Sequence, residues 1–214
     1  MALSAKALTT VSRISRVPGI NLAPEAAEDL INEASEAFAS EVGRDIHYEV
    51  DAIANLRGYG SSVLRLYNHV PLVSISSIVF DGNAIDSDDY EIVATDDPNV
   101  GHIRAKNSNW AWTADRSTDI TGDPLVGTER ALYVVTYTGG YVTPQQDADD
   151  DSLTRNLPYD IERAVIDMIV SIHRGDGRDG RVRSKKVSRG SVEYADDGLP
   201  PSFRRVAAKY MRGL

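Results

Sequence analysis

The chain has no cysteine and only four histidines, His47, His69, His102 and His173, and these counts already narrow the chemistry open to it. Without thiols there is no disulfide framework, no thiolate metal site and no cysteine nucleophile. The histidines stand in separate segments with no HxH or HxxxH spacing, so a metal site would have to be assembled in space; satisfied or exposed histidines are the simpler reading. His173 suits a cation at a helix C-terminus. Gly58-Tyr59-Gly60 begins a dinucleotide-type loop, but Val63 stands where the third glycine belongs, and no GxxxxGK[ST] phosphate loop occurs. Residues 81–91 (DGNAIDSDDYE) follow a calcium loop only superficially, because Ile85 replaces the third ligand and Asp86 the turn glycine. The acidic run 147–151 reads as a solvated loop. No GxSxG elbow is present. No motif supports catalysis or a cofactor, and the expectation is a protein that is not an enzyme.

Charge carries more information than any motif. The 214 residues hold 23 Lys plus Arg against 32 Asp plus Glu, a formal charge of -9. Residues 174–214 carry 11 basic and 5 acidic side chains, net +6, so residues 1–173 are net -15. Such a body does not coat nucleic acid over its whole surface. The basic side chains concentrate in a glycine-rich arm: Arg174, Arg178, Arg181, Arg183, Lys185, Lys186 and Arg189. One reading is a nucleic-acid tail that touches phosphates without reading bases, since aromatics are not interleaved with the cations. The favoured reading is a partner-facing arm that pairs with an acidic surface, in a neighbouring copy or elsewhere.

The elements that must position these groups follow from periodicity. Residues 10–17 form a short possible helix. From Pro24 an amphipathic helix runs to a stop at Gly43, with Ala27, Leu30, Ile31, Ala34 and Phe38 on one face. Short Val, Ile and Tyr-rich runs at 46–53, 62–67, 73–80, 90–93, 101–105 and 132–138 read as strands of a small antiparallel or mixed sheet. Residues 106–128 read as a long loop over that sheet, and 145–152 as an acidic loop. Pro158 opens a second long helix with Ile161, Ala164, Val165, Met168, Ile169 and Ile172 as its stripe. After the arm, Pro200-Pro201 precedes a last amphipathic helix bearing Phe203, Val206, Ala207, Tyr210 and Met211, with Arg204, Arg205, Lys209 and Arg212 around it. At about 13 residues that helix is too short to be stable alone in water. It must dock, and a groove in another chain is within reach of the arm. The expected class is α+β: amphipathic helices packed on a small, mostly antiparallel sheet, with an extended C-terminal arm and terminal helix. The expected organisation is an N-terminal segment 1–20, a core 21–174, and a basic arm with docking helix 175–214. No run is long and apolar enough to span a bilayer, no apolar signal core opens the chain, and a soluble cytosolic origin is expected.

The order of parts resembles a known family. Leu30-Ile31-Asn32-Glu33-Ala34-Ser35 is followed by Gly43-Arg44; the 64–66 strand leads into Val70-Pro71-Leu72-Val73-Ser74-Ile75 and Ile78-Val79-Phe80-Asp81-Gly82, then Tyr90. Val135-Thr136-Tyr137-Thr138-Gly139-Gly140-Tyr141, Leu157-Pro158 with Ala164-Val165, and Ser191-Val192-Glu193-Tyr194 come next. From about residue 9 to the last, this series resembles the head-tail adaptor (connector) proteins of tailed bacteriophages. The 106–128 and 145–152 loops depart from the family, whose members are often shorter there. The resemblance implies a ring, usually twelvefold, in the virion neck around the channel that double-stranded DNA crosses without sequence-specific binding. It implies a portal protein on one side, a stopper or tail-completion protein on the other, no membrane, and synthesis in the host cytoplasm. Carried onto this chain, the portal-binding candidates are Phe203, Arg204, Arg205, Val206, Ala207, Lys209, Tyr210 and Met211. Arg181, Arg183, Lys185, Lys186 and Arg189 are candidates for contacts with a neighbouring subunit or with DNA.

Overall fold

Two periodicities run through the chain, and they sort into two units. The computed structural model describes residues 2–95, 97, 99–111, 132–175, 184–187, 190–193 and 199–211. One compact unit comprises 48–140, the other 1–47 together with 141–214.

The central unit is all sheet. Its strands are β1 (Glu49–Leu56), β2 (Val63–Leu66), β3 (Leu72–Phe80), β4 (Asn83–Ala84), β5 (Tyr90–Val93), β6 (Gly101–Ala105) and β7 (Tyr133–Gly139). They make a four-stranded sheet of order β1-β7-β3-β4 and a three-stranded sheet of order β2-β6-β5. Every pairing within them is antiparallel. Period-two alternation puts Leu64, Leu66, Ile78, Ile103, Val135 and Tyr137 into one core. Asp81 (φ 49°) and Gly82 (φ 75°) both adopt left-handed backbone, as a two-residue hairpin turn requires. The calcium-like stretch is thus a hairpin turn followed by a 3-10 turn at Ser87–Asp89, in which the Asp86 carboxylate accepts the Asp88 amide at 2.9 Å. Gly139 has no alternative: a Cβ there would collide with the carbonyl oxygens of His69 and Pro71. Of the 106–128 loop, Trp110 is buried edge-on against Tyr133, centroids 5.2 Å apart, and its Nε1 donates to the Ile103 carbonyl at 3.2 Å. Residues 112–128 of that loop lie outside the described residues.

The other unit is helical and draws on both ends of the chain. Its helices are α1 (Val11–Ile14), α2 (Pro24–Val42), α3 (Pro144–Asp149), α4 (Tyr159–Gly175) and α5 (Pro201–Tyr210), joined by the hairpin β8 (Ser184–Val187) and β9 (Gly190–Glu193). Pro24 starts α2 and Gly43 (φ 73°) ends it, its amide donating to the Ala39 carbonyl at 2.9 Å. Ile31, Phe38, Ile161, Val165, Ile169 and Phe203 fill the core. The class is α+β, as expected, but the helices bury their apolar faces on one another.

Four expectations need correction. The 145–152 loop contains a helix, because Thr143 and Gln146 form a reciprocal capping box ahead of α3. Residues 1–20 include part of the core: Leu8 and Ile14 are buried, and the Leu8 amide donates to Ser35 Oγ at 3.1 Å. The arm is not extended throughout, since β8 and β9 pair antiparallel from Ser184 opposite Glu193 to Val187 opposite Gly190. The first strand starts at Glu49, not 46, because Ile46 instead accepts the Tyr141 amide at 2.8 Å within the helical unit.

Candidate docking site

The candidate site is α5 and the seat that holds it. Pro201 occupies the first helical position, and the spacing 203, 207, 210 places Phe203, Ala207 and Tyr210 on one buried face. Phe203 meets Phe38 of α2 edge-on, with centroids 5.5 Å apart and planes at 85°. Arg44, buried just past the end of α2, donates from Nε to the Tyr210 carbonyl at 3.1 Å. A guanidinium thereby satisfies a C-terminal carbonyl of α5 and opposes the negative end of its dipole.

The start of α4 holds the other side. Asp160 Oδ2 accepts Lys209 Nζ at 2.7 Å, and Oδ1 accepts the Tyr210 hydroxyl at 2.9 Å. Partial burial pushes the Asp160 carboxyl up, but the hydrogen bonds from Lys209, Tyr210 and the Ile161 amide outweigh it and hold the group below its usual range. The same carboxylate bond, with that to Tyr210, pushes the Lys209 ammonium up to about 12. Burial raises the Tyr210 phenol. Two residues further along α4, the buried Glu162 accepts Arg155 NH2 at 2.8 Å and Thr9 Oγ1 at 3.3 Å, with Arg13 Nε at 3.6 Å. It ties the first residues of the chain to α4.

The structure therefore divides the sequence candidates. Phe203, Ala207 and Tyr210 face their own chain, Val206 is half-buried, and Arg204, Arg205, Lys209 and Met211 are exposed. Lys185 and Lys186 fall in β8. Arg181, Arg183 and Arg189 lie outside the described residues. The helix that cannot stand alone finds its groove in α2 and α4, so removing residues 199–214 opens a core and does not leave an intact body. Sequence reasoning missed Arg44, Asp160 and Glu162. In the sequence Arg44 stands out only by its place directly after Gly43, and Asp160 and Glu162 suit acids that complement the N-terminus of the helix opened by Pro158.

Among the described residues no three His, Asp or Glu side chains converge as a metal site needs, and no helix is long and apolar enough to cross a membrane. A hollow in the sheet unit, bordered by Phe80, Asn83, Asp89, Trp110 and Tyr133, brings no acid and base together.

No family model matches the chain, and no curated protein does. Solved virion structures do. A chain in the virion of a native gene transfer agent particle is similar over 100% of this chain and 94% of that chain, at TM-score 0.53 and 12% identity. More particularly, a chain in the neck of an empty gene transfer agent particle, computed with C6 symmetry, is similar over 100% and 94%, at TM-score 0.51 and 11% identity. At such identity the likeness is one of fold.

Proposed function

We propose that this chain is a structural, non-catalytic adaptor of a virion neck, forming a ring under the portal that extends the DNA channel and receives a stopper or tail-completion protein. The observation that carries this reading is the end-to-end fold likeness to a chain of a particle neck. The order of sequence segments led independently to the same kind of particle. A twelvefold ring is compatible with the sixfold symmetry applied to that neck.

The physics suits such a role. A bore that passes duplex DNA must not grip it, and a body of net -15 repels the polyanion. With Phe203, Ala207 and Tyr210 committed to the seat, the outer side of α5 is what a portal meets: Arg204, Arg205 and Met211, with Lys209 beside them. These side chains suit an acidic partner surface. The double variant Arg204→Glu/Arg205→Glu tests the assignment, because it reverses exposed charge and leaves the buried face intact. The expected outcome is an unchanged circular dichroism spectrum with loss of portal attachment in negative-stain images. Full attachment by the folded variant overturns the assignment. In the rival reading, a nucleic-acid module acting through its basic tail, the purified protein binds duplex DNA tightly at physiological salt with a steep salt slope. The adaptor reading expects neither.

A further inference from the structure

The seat of α5 is filled by its own chain, yet the connection that leads there is longer than the seat requires. The end of α5 is fixed to the start of α4 by the bonds from Lys209 and Tyr210 to Asp160. At about 1.5 Å per residue, α5 is about 15 Å long and α4 about 25 Å. The end of α4 and the start of α5 are therefore at most about 40 Å apart, a distance that about 12 extended residues cover. The connection, residues 176–200, has 25. Helices that pack within one chain are ordinarily joined by about 2–8 residues.

The excess matches another distance. Even with β8 and β9 paired to each other, the remaining residues of the connection reach about 50 Å. A compact unit the size of the helical one is about 35 Å across. The seat on an adjacent copy is within that span. A helix moved from one copy's seat to the next keeps every contact it had, because the seats are identical. Exchange therefore costs no packing and gains the linkage between copies.

We propose that α5 is exchanged in the assembled protein: the α5 of one copy occupies the α2/α4 seat of the next, against Phe38, Arg44 and Asp160, and the self-closed chain is the unassembled form. Passed head-to-tail, the exchange is heterologous, the kind of contact from which a ring is built when the rotation between copies closes. The inference rests on the reading above that copies sit side by side.

The absence of cysteine makes the test clean. Asp160 and Lys209 are both partly exposed and their charged atoms are 2.7 Å apart, so cysteines there are bridged by a short bismaleimide without opening the core. A chain carrying Asp160→Cys is co-expressed with a longer-tagged chain carrying Lys209→Cys, and oligomers are separated from monomers before cross-linking. The expected result is a product containing both chains in the oligomer, and loss of that product in protein kept dilute. Tyr159→Cys paired with Lys209→Cys repeats the measurement while keeping the Asp160 carboxylate and its bond from the Tyr210 hydroxyl. Oligomers in which an Asp160→Cys/Lys209→Cys double variant closes only within single chains overturn the exchange and leave the ring reading standing. Protein that mass photometry finds monomeric at every concentration, and that forms no oligomer when mixed with portal, overturns both.

Discussion

The sheet unit and the helical unit solve the same problem in opposite ways. Residues 48–140 are one continuous stretch closed by antiparallel ladders, two of which (β3 with β4, β5 with β6) join neighbouring strands while β7 with β1, β7 with β3 and β2 with β6 join strands farther apart in sequence. The helical unit is joined from both ends of the chain, and its ties cross long separations: Thr9 to Glu162, and Arg44 to Tyr210. Apolar burial drives both, but among the described residues it is the helical unit that uses a buried, ion-paired carboxylate, Glu162, and a buried arginine cap, Arg44, to fix where distant segments meet. The lesson concerns specificity. Ladders carry their own register, whereas helices that slide over one another need polar pins.

The sharpest way to break this comparison is to empty each core in turn. Trp110 is buried in the core of the sheet unit, so the change in its fluorescence follows that unit, while far-ultraviolet ellipticity follows the helices. Phe203→Ala should destabilise the helical unit by about 3–5 kcal/mol, moving the ellipticity midpoint in urea and leaving the tryptophan midpoint in place. Ile78→Ala should do the reverse, at about 2–5 kcal/mol. Coincident shifts in either variant mean the two cores unfold as one.

A smaller effect tests the pins. Removing a partner from a fully buried ion pair costs about 3–5 kcal/mol. Arg155 and Arg13 keep some access to water, with side chains 16% and 45% exposed, so Glu162→Ala is expected at about 2–3 kcal/mol, again in the ellipticity transition alone. Glu162→Gln, which keeps a hydrogen-bond acceptor, should lose less.

The smallest effect is in pH. Lys209 is raised from 10.5 to about 12, so its contribution is full below its ordinary value and is lost as pH climbs toward 12. Asp160 is lowered from 3.8, so its contribution is full above that value and is lost as pH falls below it. The pair is largely exposed, which limits each effect to below about 1 kcal/mol. Asp160→Asn should flatten both limbs of the stability profile, measured by urea titrations from acid to alkaline pH. An unchanged alkaline limb means that Lys209 has another anchor.

Much of the secondary structure was legible because its signals are local. Pro24 and Gly43 bracket α2, and the runs 90–93 and 101–105 are β5 and β6 to the residue. The α5 stripe of Phe203, Ala207 and Tyr210 was equally clear. What it packs on was not, because Phe38 lies far away in sequence and periodicity does not name a partner. The α3 helix escaped because it has no apolar stripe; two hydrogen bonds between Thr143 and Gln146 hold its first turn. The seat itself was hidden for a similar reason. Arg44 and Asp160 look like ordinary surface charges until the fold brings the end of α5 between them.

Having both ends of the chain in one unit has a consequence for biosynthesis. The middle segment can pair its strands as it leaves the ribosome, but α2 emerges long before α4 and α5 exist to cover Ile31 and Phe38. At about 5–20 residues per second, that wait is on the order of ten seconds or more. The nascent protein thus carries a bare greasy helix for most of its translation, and the last segment to be made is the one that covers it.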